Sequence, residues 1–178
     1  MTPRILDLCG GSGSWSRPYA EAGYHVEIID PAVDGRDVRL LERVRGRIHG
    51  ILAAPPCTVW SYARNRYPIQ PAERLQSLSV VDACFRVIAV QGPIWWALEN
   101  PRNKLRAYLG PARLEFYQWE YGDAGHKPTC IWGEFVVPVK YPKPRTKPST
   151  YKSSRQNADP KDAITPPGFA RAFFEVNP

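Results

Sequence analysis

Short apolar runs separated by glycine- and proline-rich turns set the rhythm of this chain. Arg4-Ile5-Leu6-Asp7-Leu8 predicts a short buried strand, followed by a glycine-rich turn from Cys9 to Ser14. A helix is expected over 14–22, stopped by Gly23, which suits the left-handed position after a helix. Val26-Glu27-Ile28-Ile29 predicts a second strand that ends at Asp30-Pro31. A third, short strand is expected within 35–39, and a fourth at Ile51-Leu52-Ala53-Ala54. Residues 55–70 form a polar, aromatic-rich loop. A helix is predicted over 71–90, with Pro71 in its first turn and Leu78, Val81, Phe85 and Ile88 on its core face. Trp95-Trp96-Ala97-Leu98 is the next strand, ending at Glu99-Asn100-Pro101. Further strands are expected near 116–119 and 129–132, and a short helix over 169–174. Strands alternating with helices through short connections predict an α/β fold with a mainly parallel, doubly wound sheet.

A length of 178 residues suits one domain with a sizeable core. The formal net charge of +7 favours polyanionic partners, nucleic acid first. Much of that charge falls in residues 139–161, where seven Lys or Arg face one acid, Asp159. That stretch is proline-rich and has almost no aliphatic residues, so it builds no core of its own. It divides the chain into a core of residues 1–138, a basic insertion of 139–161 and a C-terminal helix within 162–178. The four cysteines, Cys9, Cys57, Cys84 and Cys130, form no C-x-x-C pair, so no metal site is expected. No apolar run is long enough to span a bilayer. No signal peptide is recognised, and free thiols in a cytoplasmic setting are the expectation.

Ala54-Pro55-Pro56-Cys57-Thr58 is the most informative stretch. Two prolines cannot continue the preceding strand, because each lacks an N–H and fixes its own φ. The chain must turn and present a thiol beyond a strand end, where ligands bind in open α/β sheets. A cysteine there is a nucleophile once its pKa is lowered, or else a structural residue after a loop. Glu99 closes another strand. A buried carboxyl keeps its proton near neutral pH and donates a hydrogen bond. A thiol and a protonatable acid facing one crevice suit attack on an electron-poor ring. In the loop Asp7-Leu8-Cys9-Gly10-Gly11-Ser12-Gly13-Ser14-Trp15, glycines let a ligand approach the backbone, although a tight turn alone needs them too. Asp30 is placed to accept from ribose hydroxyls or to cap a turn, and Asp37 to meet an adenine amino group or to act as an N-cap.

In order, these motifs resemble the cytosine-5 DNA methyltransferase family. The glycine loop and Asp30 resemble its S-adenosylmethionine site. Ala54-Pro55-Pro56-Cys57 resembles its Pro-Cys nucleophile motif, and Leu98-Glu99-Asn100-Pro101 its Glu-Asn motif, with proline where valine is common. Gly125-His126-Lys127-Pro128-Thr129 stands where the family has Gln-x-Arg-x-Arg. Lys127 fills the first basic position, Thr129 replaces the second, and Gly125 takes the place of Gln. Pro167-Gly168-Phe169 and the terminal helix resemble the last motif. The basic stretch of 139–161 stands where the family carries a large target-recognition domain, as in small methyltransferase-like proteins encoded by bacteriophages.

The resemblance implies a Rossmann-like fold and S-adenosylmethionine as cofactor. It also implies methylation of cytosine C5 in DNA through a Cys57 adduct, serving phage DNA modification against host restriction. It assigns Cys57, Glu99 and Lys127 to catalysis. It assigns Asp7, Cys9, Gly10, Gly11, Gly13, Trp15, Asp30, Pro31, Asp37 and Pro55 to the cofactor, with Trp15 covering its adenine as well as packing. Pro56, Ser61, Arg64, Arg66, Asn100, Lys140, Lys143, Arg145 and Lys147 are expected on nucleic acid, the basic stretch tracking phosphates or else serving as a solubilising tail. RNA is an alternative polymer, since relatives of the family methylate tRNA. A specificity partner, or a binding role without catalysis, is the alternative raised by the missing recognition domain.

Overall fold

The structure is a computed structural model that describes residues 2–60, 68–123, 125, 127–141 and 164–178. Its chain runs β1 (Arg4–Leu8), α1 (Arg17–Glu21), β2 (His25–Ile29), β3 (Gly50–Ala53), α2 (Pro71–Gln91), β4 (Trp95–Pro101), α3 (Arg106–Leu109), β5 (Leu114–Tyr117), β6 (Pro128–Glu134) and α4 (Pro167–Val176). Two 3-10 turns, Val38–Leu40 and Gln118–Tyr121, lie between them.

The six strands form one mixed sheet in the order β2-β1-β3-β4-β6-β5. The β2-β1-β3-β4 part is parallel. Strand β6 pairs antiparallel with both β4 and β5, so it runs against the other five. Five of the six strands thus share one direction, as a mainly parallel sheet requires, and β6 makes the sheet mixed.

Side-chain alternation along the strands builds a core on each face. Leu6, Leu8, Ile51, Ala53, Leu98 and Trp132 pack with Val81, Cys84, Val87 and Ile88 of α2. Their neighbours Ile5, Leu52, Ala97 and Ile131 pack on the other face with Tyr19 of α1 and Phe169 and Phe173 of α4. The chain crosses from β2 over β1 to β3, so the strand order reverses beside β1. In open α/β sheets the crevice at that reversal, beyond the strand C-termini, receives ligands.

Three predicted elements are revised. The helix over 14–22 shrinks to α1, because Pro18 has no N–H to give and fits only a first turn. The strand expected within 35–39 is absent and a 3-10 turn follows. Asp34 accepts from the Arg36 N–H at 3.0 Å and Asp37 from the Arg39 N–H at 2.9 Å. Such side-chain bonds to the backbone compete with a ladder. Strand β4 does not stop at Leu98. Its pairing continues as Glu99↔Ile131, Asn100↔Cys130 and Pro101↔Thr129, because β6 supplies a partner where β3 has ended. Among the described residues no helix is long and apolar enough to cross a membrane.

Candidate active site

The C-terminal ends of β1, β3 and β4 lie side by side, since Leu8 pairs with Ala53 and Ala53 with Leu98. Cys57 follows β3 by four residues and Glu99 is one position beyond the Leu98 pair. The reversed direction of β6 brings its first residue, Pro128, to this same edge, and with it the preceding Lys127. The three residues assigned to catalysis are thus collected at one end of the sheet. Their charges reach one another. Burial pushes the Cys57 thiol above its ordinary value, Lys127 pulls it back and the Glu99 carboxylate adds to the rise. The thiol is therefore raised, and Lys127 is the described cation that favours its ionised form. Burial also pushes the half-buried Glu99 carboxyl upward, against the opposing charge of Lys127.

The loop bearing Cys57 is braced from below. Asn100 is fully buried and its Nδ2 donates to the Pro55 carbonyl at 2.9 Å. Its Oδ1 accepts from Asn103 Nδ2 at 2.7 Å, and Asn103 Oδ1 accepts from the Leu105 N–H at 2.9 Å. This corrects the assignment of Asn100 to nucleic acid: its polar atoms are spent inside the protein, holding the turn before Cys57. Asn103 was not anticipated, although the Asn-x-x-Asn spacing was visible. Pro55 is buried under the loop and Pro56 is exposed beside Cys57.

The glycine loop sits over Asp7. A Cβ on Gly10 would lie 2.4 Å from Asp7 Cγ, so only glycine lets the backbone rest on that carboxyl. Asp7 is 1% exposed; Ser16 Oγ donates to its Oδ2 at 2.5 Å, and its Oδ1 is buried without a partner. Burial, opposed by the Ser16 bond and assisted by Asp30, pushes its carboxyl up to about 7. Cys9 adopts a left-handed φ of 57°, and its N–H donates to the Ile29 carbonyl at 2.8 Å. Asp30, at the end of β2, accepts from the Gly11 N–H at 3.1 Å and the Ala32 N–H at 2.9 Å. Gly11 is open on its outer side, and Gly13 is close against Ile28. Pro31 is exposed at the rim.

An S-adenosylmethionine site needs an open loop, an acceptor for its amino group and an acid at the second strand. The open face of Gly11 and the placement of Asp30 fit the first and last of those needs, and Asp7, 1% exposed, supports the loop from beneath. Two cofactor assignments do not survive. Trp15 is 2% exposed and packs on Phe169 and Phe173 at centroid distances of 6.0 and 5.5 Å, so it is a core residue with no face for a ligand. Asp37 caps its 3-10 turn and binds the Arg39 guanidinium through both oxygens, the second of its two expected readings. That bond holds its carboxyl below the ordinary range.

Lys140 Nζ lies 2.8 Å from Glu120 Oε1 and 3.3 Å from the Glu115 carbonyl, in an exposed ion pair. Ser61, Arg64, Arg66, Lys143, Arg145 and Lys147 lie outside the described residues, as does His126. Two further contacts were not anticipated. A Cβ on Gly125 would lie 1.3 Å from Gln118 Oε1, so a glutamine side chain fills the space beside Gly125 from another segment. The N-terminus of α4 is tied down where the Gly168 N–H donates to the Asp123 carboxylate at 3.1 Å.

No family model and no curated protein matches the chain. Among solved structures, its fold is similar to that of a candidate DNA modification methyltransferase encoded within an E. coli prophage. The TM-score is 0.55 at 15% sequence identity, over 80% of this chain and 52% of that one. The chain thus spans about half the length of that protein, and the likeness is one of α/β fold.

Proposed function

We propose that the chain is an S-adenosylmethionine-dependent methyltransferase acting on cytosine C5 in DNA. The observation that carries this reading is the meeting of Cys57, Glu99 and Lys127 at one sheet edge beside the glycine loop. Cytosine C5 is a weak nucleophile. Addition of the Cys57 thiolate to C6 turns the ring into an enamine with electron density at C5. Protonated Glu99 donates to N3 and holds the exocyclic amino group, stabilising the adduct. Lys127 favours the thiolate that starts the sequence. Bound S-adenosylmethionine supplies an electrophilic methyl group for C5. Loss of the C5 proton then breaks the C6–S bond and frees Cys57. Asn100 holds the Pro55 turn throughout. A base inside a duplex is out of reach of Cys57, so the target is flipped out or single-stranded.

Asp30, Asp7 and the glycine loop form the cofactor side of this proposal. Modification of phage DNA against host restriction is its biological reading, supported by the resemblance and by the prophage setting of the similar fold. A second reading, a partner-dependent enzyme, rests on the short basic stretch of 139–161, which stands where the resembled family carries a recognition domain. RNA is the alternative polymer.

The test is transfer of labelled methyl groups from S-adenosylmethionine to duplex DNA, single-stranded DNA and tRNA, with Cys57→Ala as control. Label in DNA that the variant loses is the expected result. Label confined to tRNA would change the polymer. No transfer while the cofactor still binds would remove the stand-alone enzyme.

A further inference from the structure

Arg43, Arg45 and Arg47 alternate with Val44, which packs on the core, Gly46, and Ile48, which is buried. The alternation turns three exposed guanidiniums outward from one loop. They line an open groove of about 570 Å³ together with Gly46 and Gln91. Among the described residues no carboxylate pairs with any of the three. Glu42 is the nearest acid in sequence, so the segment 42–47 keeps a net charge of +2.

The loop is a built feature. With its amide turned to match, Gln91 pairs with both the N–H and the C=O of Val44. Arg4 donates to the Arg45 carbonyl, and Arg86 donates to the carbonyls of Val38, Arg39 and Leu41 at 3.0 to 3.2 Å. Gly46 turns the chain at φ +90°, a left-handed conformation that favours glycine, and a Cβ there would lie 3.2 Å from Arg4 Nη1. Arg4 and Arg86 hold these carbonyls while Arg43, Arg45 and Arg47 are left facing water.

We propose that this groove is a second nucleic-acid site, one that grips the phosphodiester backbone and reads no bases. The loop enters β3 at its N-terminal end, whereas Cys57 leaves β3 at its C-terminal end. The groove therefore faces away from the catalytic edge and holds a different stretch of polymer. Its lining has no aromatic ring or apolar wall to receive a base or sugar, which disfavours a mononucleotide. Exposed guanidiniums gain little from a single anion in water, but gain from a polyanion through counterion release. The inference takes its polymer from the proposed function and is independent of methyl transfer.

The test uses a fluorescent 10-base-pair duplex of A·T pairs only, without cofactor, so that no cytosine chemistry enters. Arg43→Ala/Arg45→Ala/Arg47→Ala is compared with the wild type and with Arg17→Ala/Arg74→Ala/Arg171→Ala, a charge-matched control on exposed helix positions. Three lost phosphate contacts make the slope of log K against log salt shallower by about 2.7. Between 50 and 200 mM salt the wild type then loses about 40-fold more affinity than the groove variant. Titration to saturation loses one bound duplex per chain. A count falling from two to one leaves the catalytic-edge site intact, and a fall from one to none locates all binding in the groove and counts against the proposed function alone. An unchanged slope, an equal effect in the control, or loss of binding only to phosphatidylserine vesicles would overturn the proposal.

Discussion

Replacing Asp7 by Asn isolates one buried carboxyl and gives it a signed, pH-dependent consequence. In the folded chain the Asp7 carboxyl is raised to about 7 from an ordinary 3.8, chiefly by burial. Between those values the folded state holds a proton that the unfolded state has released. Stability contributed by the group is complete below about 4 and is lost as pH rises toward 7. At about 1.4 kcal/mol per pH unit, the total loss is about 4 kcal/mol. Asp7→Asn cannot titrate. It still accepts from Ser16, while its amide nitrogen lies where Oδ1 now has no partner, which costs a constant amount at every pH. The slope of the difference is therefore the readout. Urea unfolding at half-unit intervals from pH 4 to 8 should show the variant gaining on the wild type by about 1.4 kcal/mol per unit, then levelling above 7. Other titrating groups are common to both proteins and cancel. Parallel stability curves would refute the raised carboxyl.

Asn100→Ala leaves the buried Pro55 carbonyl and Asn103 amide unpaired; we expect a loss of about 2 kcal/mol in urea unfolding and a lower turnover, with cofactor affinity measured by calorimetry unchanged. Gly168→Ala places a Cβ 2.1 Å from the Tyr121 carbonyl oxygen, so overpacking of about 2 kcal/mol should lower the midpoint in a thermal melt by about 6 °C. Lys127→Met removes the charge that opposes the rise of the Cys57 thiol, so the pH profile of iodoacetamide labelling at Cys57 should move to higher pH, with about tenfold less thiolate for each unit moved. A profile that stays in place would dissociate Lys127 from Cys57.

Much of the site was legible because it sits where local signals are strong. The apolar runs of β1 and β3 ending in Gly-rich and Pro-Pro turns located the glycine loop after Asp7 and the loop that bears Cys57 without any tertiary information. Several of the errors share a cause: a partner distant in sequence. Hydropathy cannot show that β6 runs backward, because strand direction is set by the neighbour it pairs with, and so the extension of β4 through Pro101 was hidden too. Trp15 was assigned to the cofactor's adenine as well as to packing because Phe169 and Phe173, which bury it, belong to the far end of the chain. The missing strand within 35–39 was lost to aspartates bonding to their own backbone, a competition that composition does not reveal. The ion pair of Lys140 was not legible either, because its partner Glu120 lies on a 3-10 turn that no pattern announced. The arginine alternation before β3 was present in the sequence, with Val44 and Ile48 marking the inward positions, and needed only to be read at a period of two.

The backward run of β6 also governs when the protein becomes competent. Cys57, Glu99 and Lys127 arrive from three distant stretches of chain, and the last of them is placed only when β6 docks in the gap between β4 and β5. A partly folded molecule can hold the glycine loop and the thiol, yet lacks the charge that offsets the rise of the Cys57 pKa on burial. Assembly of the three residues therefore waits on the β4–β6 pairing as well as on β3–β4, both of them non-local contacts whose loop-closure entropy must be met before the site exists.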